Sequence, residues 1–354
     1  MTRHAHAPIL GWDIGGVNTK AARIDPPGRA ARAGAPSLRC ASMPFEIQRD
    51  PDALTSVLLS LAAELGHAEG WPHAVTMTAE LSQAFRTKRQ GVAFVLGALA
   101  RAFPADPLRV YTVDGRFVTP AAAVADPLAV GASNWVATAT LVARFVPDGI
   151  LVDIGTTSTD IIPLEGGRVA ARGRTDPARL LSRELVYTGA VRTPAEALLR
   201  EVPLWDGRAG VAAESFATIG DAHVWLGQLA PADYAAPTAD GRPVTRELAG
   251  ERLARVVCGD REMLDEAAID AIARALTEAQ VELVADGIRR VRAGFPAAAT
   301  AVVTGLGDFI AAEAARRAGL EVVALAERLG GAARTAPAAA VAWLLADERA
   351  MAVG

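Results

Sequence analysis

The chain has 354 residues, 51% of them hydrophobic and 21% charged, a composition that excludes a disordered chain and supports two domains with their own cores. The net charge is -4 with no long Lys/Arg block, which excludes bulk nucleic-acid binding but leaves room for one basic cleft that takes a small anion. A membrane-spanning helix needs about 20 mostly apolar residues, and Asp126, Pro127, Asn134 and Arg144 interrupt the small-residue run 121–146 that comes nearest.

The first eight residues lack the apolar core of a signal peptide, and Cys40 and Cys258 lie far apart with no ligand residue at metal-site spacing. The expectation is a cytoplasmic protein with two reduced thiols. His4 and His6 fall in an N-terminus expected to fray, and no His-Glu-x-x-His pattern supports a zinc hydrolase.

In chain order, residues 7–15 form an apolar run ending in Gly15-Gly16, and 20–24 resume an extended pattern, so the two read as a hairpin around 15–19. After Pro51, apolar residues at helical spacing predict a helix over 52–65. A buried strand over 74–78, a helix over 90–103 stopped by Pro104 and a strand-like run over 108–113 follow. The pattern then restarts with a helix over 133–145, an apolar run over 149–155, a turn, and a return strand over 159–164. That recurrence is an internal echo, not a short-period repeat. Residues 165 to about 260, rich in Arg, Gly, Pro and Asp, read as an irregular insertion with short elements. A long helix within 261–292, a strand over 301–304, a turn at 305–307, a helix over 309–318, a strand over 320–324 and a closing helix over 336–345 complete the chain.

Three strand-to-turn junctions carry candidate chemistry. In the first, a strand delivers Asp13, and Gly15 and Gly16 allow a tight turn whose amides approach an anion, with Asn18, Thr19 and Lys20 as added donors. A carboxylate beside a phosphate cradle needs a cation such as Mg²⁺ between them; the alternative is a plain hairpin with a buried, hydrogen-bonded Asp. The second junction repeats the grammar with Asp153, Gly155, Thr156, Thr157 and Ser158, and Asp160 adds a carboxylate. In the third, Thr304-Gly305-Leu306-Gly307 leads from a strand into a helix start, which suits an anion or a flat ligand face, although many such turns are purely structural. Neither a Walker A nor a Gly-x-Gly-x-x-Gly pattern occurs, so no P-loop or Rossmann site is indicated.

Taken in order, Asp13-Ile-Gly-Gly, Asp153-Ile-Gly-Thr-Thr and Thr304-Gly-Leu-Gly resemble the two phosphate motifs and the adenosine motif of the actin, heat-shock chaperone and sugar-kinase superfamily. The resemblance implies an α/β fold of two ribonuclease-H-like, actin-like ATPase domains with a cleft between them, here expected as 1–132 and 133–354. Thr78-Ala79-Glu80-Leu81-Ser82 with Phe85-Arg86-Thr87-Lys88 looks like a segment of the hydantoinase/oxoprolinase branch. The stretches 184–194 and 238–242 resemble the short members of that branch linked to tetrahydromethanopterin-dependent one-carbon transfer, which include the methanofuran-biosynthesis synthase.

That subfamily implies a transferase of methanofuran or methylofuran biosynthesis. It joins an aminomethylfuran-methyl diphosphate to the phenol of a tyramine- or tyrosine-type acceptor and releases pyrophosphate. On this reading Asp13, Asp153 and Asp160 anchor Mg²⁺, a Lewis acid for the departing diphosphate. The loops 15–20 and 155–159 hold the phosphates, with Arg86 and Lys88 as a basic pair facing an anion. Glu80 is the candidate general base for a phenol whose ordinary pKa is about 10, or it pairs with Arg86 or Lys88, or caps the following helix. Tyr187, Arg192, Asp240 and Arg242 are assigned to the acceptor, because irregular segments on a rigid scaffold often carry specificity. Trp12 and Trp135 read as core. ATP is an optional ligand of the Thr304, Gly305 and Gly307 pocket that the leading reading does not require. The expected partners are small molecules, not nucleic acid or membrane, with a homodimer left open. An ATP-dependent kinase or hydrolase, a non-catalytic nucleotide-binding regulator and an assembly partner are the competing readings.

Overall fold

The computed structural model describes residues 7–25 and 37–351; His4 and His6 lie outside the described residues. Two compact units emerge, one of residues 1–147, 164–178 and 325–354, the other of 148–163 and 179–324. The boundary expected at 132/133 therefore falls inside the first unit. The helix Asn134–Val142 and the closing helix Ala336–Met351 both belong there, because the closing helix packs on the first sheet and on that helix.

The first unit is built on β1 (Ile9–Ile14), β2 (Asn18–Asp25), β3 (Ser37–Pro44), β4 (His73–Met77), β5 (Leu108–Tyr111) and β6 (Phe117–Val118), in the order β3-β2-β1-β4-β5-β6. β1 pairs antiparallel with β2 and parallel with β4. Every residue of β1 is buried, as a strand covered on both faces requires. α1 (Leu54–Glu64) and α2 (Lys88–Ala102) bury Leu58, Leu61, Val92, Val95 and Leu99 against Trp12, Ile14 and Val75. β3 was not foreseen: it is an edge strand in which only Ala41 is buried, so no apolar alternation marks it in the sequence. α3 (Pro120–Ala125) and α4 (Asn134–Val142), which buries Trp135, complete this part.

In the second unit β7 (Gly149–Ile154) and β8 (Thr159–Glu165) form the second strand-turn-strand element. β9 (Arg168–Val169) extends β8 within the first unit, and α5 (Asp176–Ser182) leads to β10 (Leu185–Val186). The region 165–260, expected as an insertion with short elements, is built of such elements. It holds α6 (Ala195–Leu198), the hairpin of β11 (Glu201–Leu204) and β12 (Gly207–Gly210), α7 (Ile219–Trp225) and α8 (Arg246–Arg255). These pack Val202, Ile219, Trp225 and Leu253 against the start of α9 (Glu266–Arg292). β13 (Thr300–Gly305), α10 (Asp308–Arg317) and β14 (Glu321–Ala324) close the unit.

Its sheet runs β10-β8-β7-β13-β14, which repeats the β3-β2-β1-β4-β5 order of the first unit, so the echo in the sequence is an echo in topology. The register repeats too: Asp13 lies opposite Thr76 on the parallel neighbour β4, and Asp153 opposite Thr304 on β13. Among the described residues no helix is long and apolar enough to cross a membrane.

Candidate active site

The first junction forms the expected hairpin. The Gly15 N–H donates to the Asn18 carbonyl at 2.9 Å, and the carbonyls of Gly16 and Val17 accept from Ile47 and Phe45, so the loop's shape is pinned from outside. Asp13 is buried at the end of β1, with the Lys20 ammonium 3.6 Å from its carboxylate. Thr19 is fully buried within β2. Ser133, at the start of α4, hydrogen-bonds to Thr76 at 2.8 Å and fixes the strand beside Asp13.

Glu80 sits one short step beyond β4, in a 3-10 turn over Ala79–Leu81, and is 1% exposed. The Thr78 N–H donates to the Ile14 carbonyl at 2.9 Å, so Glu80 follows directly on the strand end that neighbours Asp13. α2 lies against this turn. A Cβ on Gly91 would come within 2.5 Å of the Glu80 Cα, so glycine there lets the helix approach. Lys88, the first residue of α2, places its Nζ 3.2 Å from Glu80 Oε1 and 2.7 Å from Asp176 Oδ2. Burial pushes the Glu80 carboxyl up to about 7, against the opposing pull of Lys88. Burial also works against the Lys88 ammonium, but Glu80 and Asp176 outweigh it and raise its pKa. Lys88 thus serves two carboxylates, while Arg86 is exposed; the two do not act as one basic pair. Asp176 lay in the segment read as irregular, 88 residues from Lys88, and no local signal marks it.

In the second unit the Gly155 N–H donates to the Ser158 carbonyl at 3.0 Å, the same bond as in the first loop. Asp153 precedes this turn on β7. Asp160 carries a different load: Arg179, 1% exposed, donates to its Oδ1 at 2.8 Å. Arg179 balances charge on that oxygen, while Asp13 in the first unit and Asp153 in the second each carry hard carboxylate oxygens of the kind Mg²⁺ takes. The loop is braced by residues read separately from it. The Val191 and Arg192 N–H groups donate to the Thr156 carbonyl at 3.2 and 3.1 Å, and Gly189 packs against Thr157. Arg192 and Tyr187 are exposed on this brace. Gln280 holds it from behind by donating to Thr188 Oγ1 and to the Gly189 carbonyl.

The remaining residues have structural work. Gly305 has φ +94°, and a Cβ there would lie 2.3 Å from the Ile154 carbonyl oxygen and 2.5 Å from Asp153 Oδ1. Gly307 donates to the same carbonyl at 2.9 Å. The Gly-x-Gly after Thr304 is therefore required by packing against β7, with or without a nucleotide. Asp240 and Arg242 join an ion-pair network with Glu251 and with Arg252, which is fully buried against Asp221. Partial burial opposes the Asp240 charge, but the Arg242 N–H and side chain and the Arg252 charge outweigh it and hold the carboxyl at about 2.

His67, His73 and Asp106 bring one ligand atom each within 4.8 Å of one another. The Trp12 indole donates to His73 Nδ1 at 3.1 Å. Indole N–H is a donor only, so Nδ1 is the acceptor and Nε2 carries the proton of the neutral ring, facing Asp106 at 3.3 Å. In that tautomer the one ring lone pair, at Nδ1, is taken by the Trp12 indole, and within the trio the hydrogen bond runs between His67 and Asp106 at 2.8 Å.

Residues 72–348 match the hydantoinase/oxoprolinase family model. The chain is 34% identical over 307 residues to a (4-{4-[2-(gamma-L-glutamylamino)ethyl]phenoxymethyl}furan-2-yl)methanamine synthase from Methanocaldococcus jannaschii, covering 86% of this chain and 88% of that one. It is 31% identical to the synthase of the same name from Methanococcus vannielii, over 56% of this chain and 91% of that one. A nucleotide-free acetone carboxylase structure, 13% identical, superposes with a TM-score of 0.58 over 95% of this chain and 70% of that chain, which bears on the fold alone and agrees with the actin-like ATPase architecture. The chain belongs to the hydantoinase/oxoprolinase family, in the branch of these methanofuran-biosynthesis synthases.

Proposed function

We propose that the chain is an ether-forming transferase of methanofuran-type cofactor biosynthesis. The name of the curated synthases describes a phenoxymethyl-furan with a glutamylaminoethyl group on the phenol ring, which supports an aminomethylfuran-methyl diphosphate donor and a tyramine-type phenol acceptor. The CH₂–O bond to the diphosphate breaks, and both electrons leave with pyrophosphate. The phenol oxygen forms the new bond to that CH₂ and gives its proton to the protein, from which it passes to solvent. The furan ring stabilises positive charge on the carbon as the bond breaks.

The observation that carries the reading is Glu80: a fully buried carboxylate at the end of β4, held near pKa 7 beside Lys88. A general base works best when its pKa lies near the working pH, and a phenol near neutral pH needs one. Asp13 in the first unit and Asp153 in the second are each candidate ligands of Mg²⁺, which would supply charge neutralisation of the leaving diphosphate. The loops Gly15–Lys20 and Gly155–Ser158 offer donors to phosphate oxygens, and Arg192, anchored on the second loop, adds a cation. Tyr187 beside it is the candidate contact for the acceptor ring. The free thiols Cys40 and Cys258 suit a reducing cytoplasm.

The test is to incubate the purified protein with the furan-methyl diphosphate, Mg²⁺ and tyramine, its glutamyl amide or tyrosine, and to follow ether and pyrophosphate by mass spectrometry. Ether formation in equal amount to pyrophosphate, without ATP, is expected. Absence of ether with all three phenols, or strict dependence on ATP, would sink the reading.

A further inference from the structure

The Glu80–Lys88 contact alone would make a poor base. A buried ammonium against a buried carboxylate stabilises the ionised acid and lowers its proton affinity. The structure adds a second carboxylate to the same ammonium. We propose that Asp176 is a positioning residue for Glu80: it takes the Lys88 ammonium at 2.7 Å while that ammonium lies 3.2 Å from the Glu80 carboxylate, so that Glu80 shares its one cation with a second carboxylate and stays a proton acceptor. The proposal rests on Glu80 being the base.

The placement of Asp176 is built into the fold. Its segment, residues 164–178, belongs to the first unit although the chain on both sides of it belongs to the second. Arg174 donates to the Val113 carbonyl at 2.7 Å and ties the segment there. Thr87 caps α2 by accepting from the Gln90 N–H at 3.2 Å, which fixes the direction of Lys88. The charged groups facing Glu80 are Lys88 from α2 and Asp176 from the start of α5. The stretch 127–131 presents Gly131, where even a Cβ would lie only 3.0 Å from Glu80 Oε1, and the turn around Glu80 itself contributes Ala79 and Leu81. Lys88 is therefore the one cation on Glu80 among these groups, and Asp176 is the group that shares it.

Asp176 also acts directly, since its negative charge opposes ionisation of Glu80. Removing it should leave Lys88 to Glu80 alone and remove that repulsion, and both changes lower the proton affinity of Glu80. The experiment is a carbon-13 NMR titration of glutamate-labelled full-length protein, with the Glu80 signal assigned by Glu80→Gln. Asp176→Asn should lower the Glu80 midpoint by about one unit, a tenfold change in proton affinity. Asp176→Glu should restore it, and Lys88→Met should raise it. In the Lys88→Met background the added Asp176→Asn should shift the midpoint by less, because only the direct repulsion is left. In turnover, the acid limb of kcat/KM should move down with the midpoint, and its plateau should fall about threefold as the base weakens.

A Glu80 midpoint that Asp176→Asn leaves in place would overturn the proposal. So would a Lys88→Met protein whose midpoint does not rise, a result available even if Asp176→Asn does not fold. A midpoint that falls while the acid limb of turnover stays fixed would overturn instead the reading of Glu80 as the base.

Discussion

Asp13 and Lys20 are register partners across β1 and β2, with 3.6 Å between carboxylate and ammonium. That is longer than a hydrogen bond, so Lys20 balances charge at the strand end without clamping the carboxylate. Both groups then suit a site that takes a diphosphate together with a divalent cation. Asp13→Asn should abolish the Mg²⁺-dependent part of pyrophosphate binding in calorimetry and lower kcat/KM by about a hundredfold or more, within the several kcal/mol a metal supplies. Lys20→Met should weaken pyrophosphate binding by about tenfold, or about 1.4 kcal/mol. Unchanged Mg²⁺-dependent binding in Asp13→Asn would remove Asp13 from the metal.

Glu80 makes a stability prediction that needs no substrate. Its folded pKa of about 7 lies above the ordinary 4.5. Between these values the folded protein holds a proton that the unfolded chain releases. The associated stability is therefore present below about pH 4.5 and lost as pH rises to about 7. At pH 8 the ionised, buried carboxylate is a net cost on the order of 3 kcal/mol. Glu80→Gln leaves Lys88 paired with Asp176, so it strands no cation. Chemical denaturation should find the variant more stable than the parent at pH 8 and no more stable at pH 4.5. A difference that does not vary with pH would refute the raised pKa.

The two loops were legible because their signals are local: a strand, Asp, then glycine and hydroxyls fix a turn, and the turn forms as read in both units. Glu80 was legible through its short motif, and its pairing with Lys88 was among the readings open. What sequence hid is what tertiary structure brings from afar. Asp176 reaches Lys88 over 88 positions, and nothing local to Tyr187 and Arg192, read as acceptor residues, shows that the Val191 and Arg192 amides brace the second loop at Thr156. Nothing in sequence announces Arg179 as the partner of Asp160. Gly305 looked like a ligand's glycine, but β7 leaves no room for a Cβ there.

His73 contributes in the opposite sense to Glu80. Burial lowers its pKa below the ordinary 6.5, with Asp106 opposing and His67 adding to the effect. The unfolded chain therefore binds a proton that the folded protein does not, and stability falls as pH drops below 6.5. His73→Asn keeps an acceptor near the Trp12 indole but removes the titration. It should be less stable than the parent at pH 7, with the deficit shrinking by about 1 kcal/mol or more as pH approaches 4. Because the His73 tautomer gives its proton to the Asp106 side, Zn²⁺ should not raise the melting temperature. A rise that His67→Ala removes would show that the trio binds metal after all.

The network around Arg252 separates architecture from recognition. Arg252 Nε lies 2.7 Å from Asp221 Oδ1 and Nη1 3.2 Å from Asp240 Oδ1, and both Arg252 and Asp221 are fully buried. Burial raises the Asp221 carboxyl despite the opposing charge of Arg252. Arg252→Met should therefore leave an uncompensated buried carboxylate and cost about 3–5 kcal/mol. The sign of its pH dependence follows. An unpaired Asp221 takes up a proton more readily when folded than when unfolded, so the deficit should be largest near neutral pH and shrink on acidification. Adding Asp221→Asn to Arg252→Met should recover much of the loss, since the amide still accepts the Thr218 N–H that Asp221 now accepts at 2.9 Å. Denaturant melts of the parent, the two single variants and the double variant at pH 5 and pH 8 would measure the coupling. Purely additive losses would mean that the pair is not the unit holding this part of the second domain together.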